Sequence, residues 1–269
     1  MRNKRLLTLA LALCLLLPLA ACALKPAAPW PAVTNLRPGG QQVRGSGDVV
    51  EQKTPLPERL DGYALRVSIL SISLRDSDRL EEKLVIDESL DREVVLIVDS
   101  NIAEHIKVSY DAATGQIVVD TDRRVLITPT KLRIAVGAPV KDLEIDGAWD
   151  FTYNCPSVTD CRARINGAAN GTFTFGDLNA LWLDINGTGE IKLAGTAKRA
   201  DLTINGGANI RAFDLSAQTA NVNINGLGNC QITATQTLNA QINGLGEITY
   251  AGEPKVNKQV NGLGQVKKK

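Results

Sequence analysis

The chain has 269 residues, with 30 Lys plus Arg against 29 Asp plus Glu, one histidine, five cysteines and 4% aromatic residues. So even a balance lacks the basic excess or stripe of a nucleic-acid binder. The single histidine, His105, argues against Ser-His-Asp or Cys-His catalysis, and no Cys/His cluster has zinc spacing, so neither a metal nor a cofactor is expected.

The chain opens with a basic start at Arg2, Lys4 and Arg5 and an apolar run from Leu6 to Leu17, closed by Leu19-Ala20-Ala21-Cys22. That run is too short to span a bilayer comfortably, so residues 1–21 read as a cleaved signal peptide. The closing tetrapeptide resembles a bacterial lipobox, which implies that Cys22 becomes the lipid-bearing first residue of the mature chain. More than one acyl chain gives stable anchoring. Ala23 follows; in Gram-negative lipoproteins an Asp there favours inner-membrane retention, so the expected location is the cell envelope, with the outer membrane favoured. Losing Arg2, Lys4 and Arg5 leaves the mature chain slightly acidic. Residues 22–41 are crowded by Pro26, Pro29, Pro31, Pro38, Gly39 and Gly40 and form a semi-extended tether.

Residues 42–141 are strand-like but irregular. Leu65–Ile69, Leu84–Ile86, Val94–Val98, Ile106–Val108, Ile117–Val119 and Leu132–Ile134 are β-branched runs bounded by turn residues. Ala112-Ala113-Thr114-Gly115 is a turn. Asn101 to His105 reads as a single helical turn with His105 on the surface.

From residue 142 to 269 a tripeptide returns every 18 to 20 residues: Ile145-Asp146-Gly147, then Ile-Asn-Gly at 165, 185, 204, 224 and 242, and Val260-Asn261-Gly262. Two residues before each first position come Leu143, Ala163, Leu183, Leu202, Val222, Ala240 and Lys258. Six after it come Phe151, Gly171, Ile191, Ile210, Cys230, Ile248 and Val266. Polar residues fill the alternate positions, as in half-buried strands. Asn and Gly both tolerate the left-handed backbone, so the pair is expected to turn the chain between two short strands.

An Asn-Gly turn between strands also describes a β-hairpin. Here, however, like residues match from copy to copy, as parallel in-register stacking requires. A unit this small cannot bury its own apolar face, so copies must stack. The expected fold is all-β: a right-handed parallel β-helix, a β-solenoid with about 18–20 residues per rung. Seven rungs span about 30 Å. Residues 42–269 are expected to share one core.

The chain resembles the putative auto-transporter adhesin, head GIN domain family. Val43 to Val50, the turn before Gln116-Ile117-Val118-Val119, and the Ile-Asn-Gly-Leu-Gly stretches at 224–228 and 242–246 carry the resemblance, over roughly residues 43–266. It implies a right-handed parallel β-helix on a secreted or lipid-anchored protein, and brings no catalytic residues. The chain departs from the pattern at its Cys155 to Cys161 excursion and in the first two rungs, where Gly-Ala-Trp and Gly-Ala-Ala replace Gly-Leu-Gly.

Several side chains remain to be assigned. The Asn column is explained by hydrogen bonding along the stack. Leu227, Leu245 and Leu263 either tuck over the turns or form an apolar stripe for a partner. In an oxidising envelope Cys155 and Cys161 are candidates for a disulfide across their excursion, and Cys230 is a buried apolar residue. Lys267-Lys268-Lys269 reads as a charged guard on the last rung. Calcium-binding glycine repeats need an Asp that Gly226-Leu227-Gly228-Asn229 lacks.

Two functions remain. The first is a non-catalytic, surface or periplasmic binding scaffold of adhesin type, held on the membrane through Cys22, with a protein or glycan partner. The second is a carbohydrate-active β-helix enzyme using Glu144, Asp146, Asp150, Asp184 and Glu190, since a glycosidase needs two carboxylates about 5 to 9 Å apart.

Overall fold

A computed structural model describes residues 41–69, 71, 82–122 and 124–269. The signal peptide, Cys22 and the tether before residue 41 lie outside the described residues. The repeat region forms strands β10 (Val140–Cys155), β11 (Asp160–Gly226), β12 (Asn229–Gly244), β13 (Glu247–Ala251), β14 (Lys255–Gly262) and β15 (Gln265–Lys268). Their pairings are parallel and match like with like. Ile145 lies on Ile165, Ile224 on Ile242 and Ile242 on Val260. A hairpin would have paired them antiparallel.

Alternation explains why these segments extend and stack. Leu143, Ala163, Leu183, Leu202, Val222 and Ala240 are buried, as are the Ile residues of the tripeptide from Ile145 to Ile242. Each buried Ile or Leu contributes about 1.5–3 kcal/mol over its exposed state. The column ends at Lys258, which is exposed on β14. Side-chain size is traded between neighbours: the Phe151 ring occupies the space that a side chain at Gly171 would need. Phe151, Tyr153, Phe173 and Phe175 form one aromatic cluster, with ring centroids 5.0–5.5 Å apart.

The Asn-Gly corner divides its labour differently from the expectation. Among the described residues none other than glycine has positive φ, so the Asn backbone is not left-handed. Gly147, Gly167, Gly206, Gly226, Gly244 and Gly262 carry it, with φ between 113° and 151°. Crowding is the second reason for glycine. A Cβ on Gly226 would strike the Gly206 carbonyl oxygen, and one on Gly244 would strike that of Gly226. The Asn side chains do what was expected of them. Asn166 Nδ2 donates to Asp146 Oδ1 at 2.8 Å. Asn186, Asn205, Asn225, Asn243 and Asn261 each donate to the Asn one copy earlier, at 2.8–2.9 Å.

Before the repeats come β1 (Gln41–Arg44), β2 (Val49–Pro55), β3 (Tyr63–Ser68), β4 (Glu82–Asp87), β5 (Glu93–Asp99), the helical turn α1 (Ser100–Ala103), β6 (Ile106–Asp111), β7 (Gln116–Thr121), β8 (Val125–Thr128) and β9 (Leu132–Val136). All six runs read from the sequence lie on strands, except that Ile69 falls just past the end of β3; β1, β2 and β8 add to them. Parallel stacking continues here out of chain order. β3 lies between β10 and β7, and β4 lies between β10 and β9. Antiparallel pairs then finish the sheet: β6 on β7, β5 on β9, and β2 on β5.

One buried carboxylate organises that end. Asp99 has no exposed surface. It accepts hydrogen bonds from the Gly47 amide at 2.8 Å, the Thr130 amide at 2.7 Å and the Thr130 hydroxyl at 2.5 Å. Gly45 must lack a side chain because the Asp99 carboxylate fills its place. Burial alone pushes this carboxyl up. The hydrogen bonds from Thr130, Gly47 and Lys131 outweigh it and hold Asp99 below the ordinary carboxylate value.

Candidate functional site

The three leucines are the largest departure from a polar surface in the repeat region. Leu227, Leu245 and Leu263 are 65%, 57% and 87% exposed, so they do not tuck over the corner. The reason lies in the backbone. Their amides donate to Gly206, Gly226 and Gly244 carbonyls at 2.9–3.0 Å, which fixes each leucine immediately after the crowded glycine corner. The glycine that follows packs on the core side: a Cβ at Gly246 would meet Ile224 and the Gly228 carbonyl. With the corner held that close to the stack, the leucine side chain has only the outside to occupy. Two copies of the stripe lie one strand spacing apart, about 4.8 Å.

Four of the five carboxylates are dispersed among partners, and Asp184 stands apart from them. Arg66 of β3 lies 3.7 Å from Glu144 and 3.3 Å from Asp146. Asp150 accepts from Asn170 at 3.1 Å, and Glu190 pairs with Arg211 at 2.8 Å. Asp150 and Glu190 do border one groove of about 450 Å³, together with Lys83 and Lys192. Sequence reading missed these lysines. Lys83 lies beside Asp150 only because β4 pairs with β10, a register that no repeat announces.

The expected disulfide is not formed. Cys155 and Cys161 are buried free thiols. Both face the core, where Cys155 Sγ lies 3.7 Å from the Ala138 carbonyl and the Tyr153 hydroxyl donates to the Val140 carbonyl at 2.5 Å. The excursion is held instead by Ser157, whose amide and hydroxyl donate to Glu88 at 2.9 and 2.5 Å. Burial raises the thiol of Cys155 to about 11 and those of Cys161 and Cys230 to about 12, so all three stay protonated and unreactive at neutral pH. His105 is partly buried, with Glu104 Oε1 3.7 Å from its Nε2. The terminal lysines each have a partner: Lys267 pairs with Glu247 at 2.9 Å, Lys268 with Glu253, and Lys269 Nζ lies 4.4 Å from the Phe213 ring centroid. Among the described residues no group of His, Cys, Asp and Glu could hold a metal ion, and no helix is long and apolar enough to cross a membrane.

Residues 79–254 match the model of the putative auto-transporter adhesin, head GIN domain, and the chain belongs to that family. No curated protein matches it. Among solved structures it is similar to a putative adhesin from Bacteroides fragilis, at 19% identity over 84% of this chain and 100% of that one, with a TM-score of 0.64. A putative lipid binding protein from Parabacteroides distasonis is similar at 21% identity over 85% and 100%, with a TM-score of 0.59. A putative adhesin from Parabacteroides merdae aligns at 19% identity over 85% and 99%, with a TM-score of 0.51. At these identities the likeness is one of fold.

Proposed function

We propose that this protein is a non-catalytic binding scaffold of the bacterial envelope: a right-handed parallel β-helix over residues 42–269, tethered by residues 22–41 to a lipid on Cys22, with the outer membrane favoured. The parallel register of the copies supports the β-helix, and the lipobox supports the anchor. The observation that carries the binding role is the exposed stripe Leu227, Leu245 and Leu263 on a corner whose glycines and asparagines leave it no freedom to fold inward. Membership of an adhesin-named family fits a capturing role, and the engagement of Asp146, Asp150 and Glu190 by neighbouring amides and arginines supports the non-catalytic reading over a carbohydrate-active enzyme. The test is cross-linking in intact cells of the parent and of a variant with all three leucines changed to Ser. Loss of cross-linked partners at unchanged melting temperature is the expected result. Unchanged cross-linking, or a melting temperature well below the parent's, overturns the role of the stripe.

A further inference from the structure

A second surface, four residues before the leucine corner on the same copies, has a different chemistry. A groove of about 470 Å³ runs across successive copies in the C-terminal part of the repeats. Two outward columns, two residues apart on each strand, line it. In the first, Asn257 donates to Asn239 at 2.8 Å, Asn239 to Asn221 at 2.6 Å, and Asn221 to Asp201 at 2.5 Å. That column is internally satisfied. In the second, Asn223 lies on Gln241 and Gln241 on Gln259. None of these three side chains has a hydrogen-bond partner among the described residues, and Asn223 Oδ1 is shielded from solvent as well.

The contrast with the same column earlier in the chain is chemical. There it reads Glu144, Arg164 and Asp184; beside the groove it is Thr203 followed by three uncharged amides. Gln241 and Gln259 each offer both donors and an acceptor, the complement of a sugar hydroxyl, and Asn223 offers its Nδ2 donors. An extended peptide would bind by adding a strand, but across the groove the backbones of Val222–Gly226 and Ala240–Gly244 are already paired, which leaves only the outer edge of β14, at the end of the groove, open to one. An acidic polymer would need cations, and among the lining residues Lys258 stands against the carboxylate of Asp201, which Arg199 already pairs at 2.8 Å. The amides recur at the strand spacing of about 4.8 Å, close to the advance of one sugar along an extended β-1,4-linked chain. An α-1,4-linked chain coils out of that register.

From this free amide array we infer that the groove binds a neutral, extended β-1,4-linked glycan running along the stacking direction, with about one sugar per copy. The inference goes beyond the leucine stripe and stands apart from it. Titration calorimetry of the full chain with cellohexaose and with chitohexaose tests it, the two arms separating plain from N-acetylated sugars, with maltohexaose as the coiled comparison. Saturable binding of at least one β-1,4 hexasaccharide is expected, stronger than any binding of maltohexaose. Gln241→Ala with Gln259→Ala should weaken it about tenfold or more, because two hydrogen-bonding side chains are lost. The leucine-to-Ser variant should bind the sugar as the parent does. If the double variant melts lower than the parent, Gln259→Ala alone, on the exposed edge strand β14, must still weaken binding. The inference fails if neither β-1,4 hexasaccharide saturates, if maltohexaose binds equally, or if the glutamine variants bind like the parent.

Discussion

The repeats from Val140 onward and the strands before them build parallel sheets by opposite means. In the repeats each copy satisfies its neighbour with the same few atoms: a glycine against a glycine carbonyl, an Asn amide against an Asn oxygen. Before Val140 nothing repeats. Strands stack out of chain order, antiparallel pairs finish the sheet, and one carboxylate, Asp99, gathers hydrogen bonds from two distant segments. Repetition spreads stability over many small, equal interfaces. The irregular end concentrates it, so the two regions should fail differently.

The largest effect is expected at Asp99. Asp99→Ala leaves the Gly47 and Thr130 amides without their acceptor, a loss on the order of 4 kcal/mol. Hydrogen exchange should show β5 and β9 losing protection while β12 keeps it. Equal loss in both regions would mean they form one cooperative unit. Acid should mimic the variant. The folded-state carboxyl of Asp99 is held below its unfolded value, so its contribution is fully present above about pH 4 and disappears as pH falls through the folded value. A melting temperature for the Asp99→Ala protein that tracks the parent's through this range would remove Asp99 from the account.

Gly226→Ala comes next. The new methyl meets the Gly206 carbonyl at positive φ, and neither backbone can yield, for a cost on the order of 3 kcal/mol. Protection should fall in the copies on both sides, at Ile204 and Ile242, and leave β5 intact. The smallest effect belongs to Asn205→Ala, which removes one exposed ladder step from Asn225 and one to Asn186 for about 1 kcal/mol or less. A drop in melting temperature as large as that of Gly226→Ala would show that the ladder acts as a unit.

Much of the repeat half was legible because each column is written seven times. Ile145 to Val260 announced their own register, and Cys230 stood visibly in an apolar column. Before Val140 the sequence shows that Val94–Val98 is a strand but not that it runs antiparallel between β2 and β9, because alternation is the same in either direction. Partner choice there depends on contacts between distant segments, such as Asp99 with Gly47 and Thr130. The site was legible to the same degree. Leu227, Leu245 and Leu263 could be found by alignment; their exposure followed only from the packing of Gly228, Gly246 and Gly264. The spacing of Cys155 and Cys161 suggested a staple, but spacing does not reveal that both thiols point inward beside Tyr153.

One substitution in the tripeptide column reaches further than its position. Asp146 stands where every later copy has Asn, and a carboxylate can only accept. Asn166 must therefore turn its nitrogen toward Asp146 and its oxygen toward Asn186, and each following amide inherits the same sense up to Asn261. The amide dipoles then add head to tail, with their positive end on the carboxylate, much as an anion sits at the start of an α-helix. A sheet protein, whose backbone dipoles largely cancel, thereby acquires an electrical polarity from its side chains, set by a single acid at one end of the column.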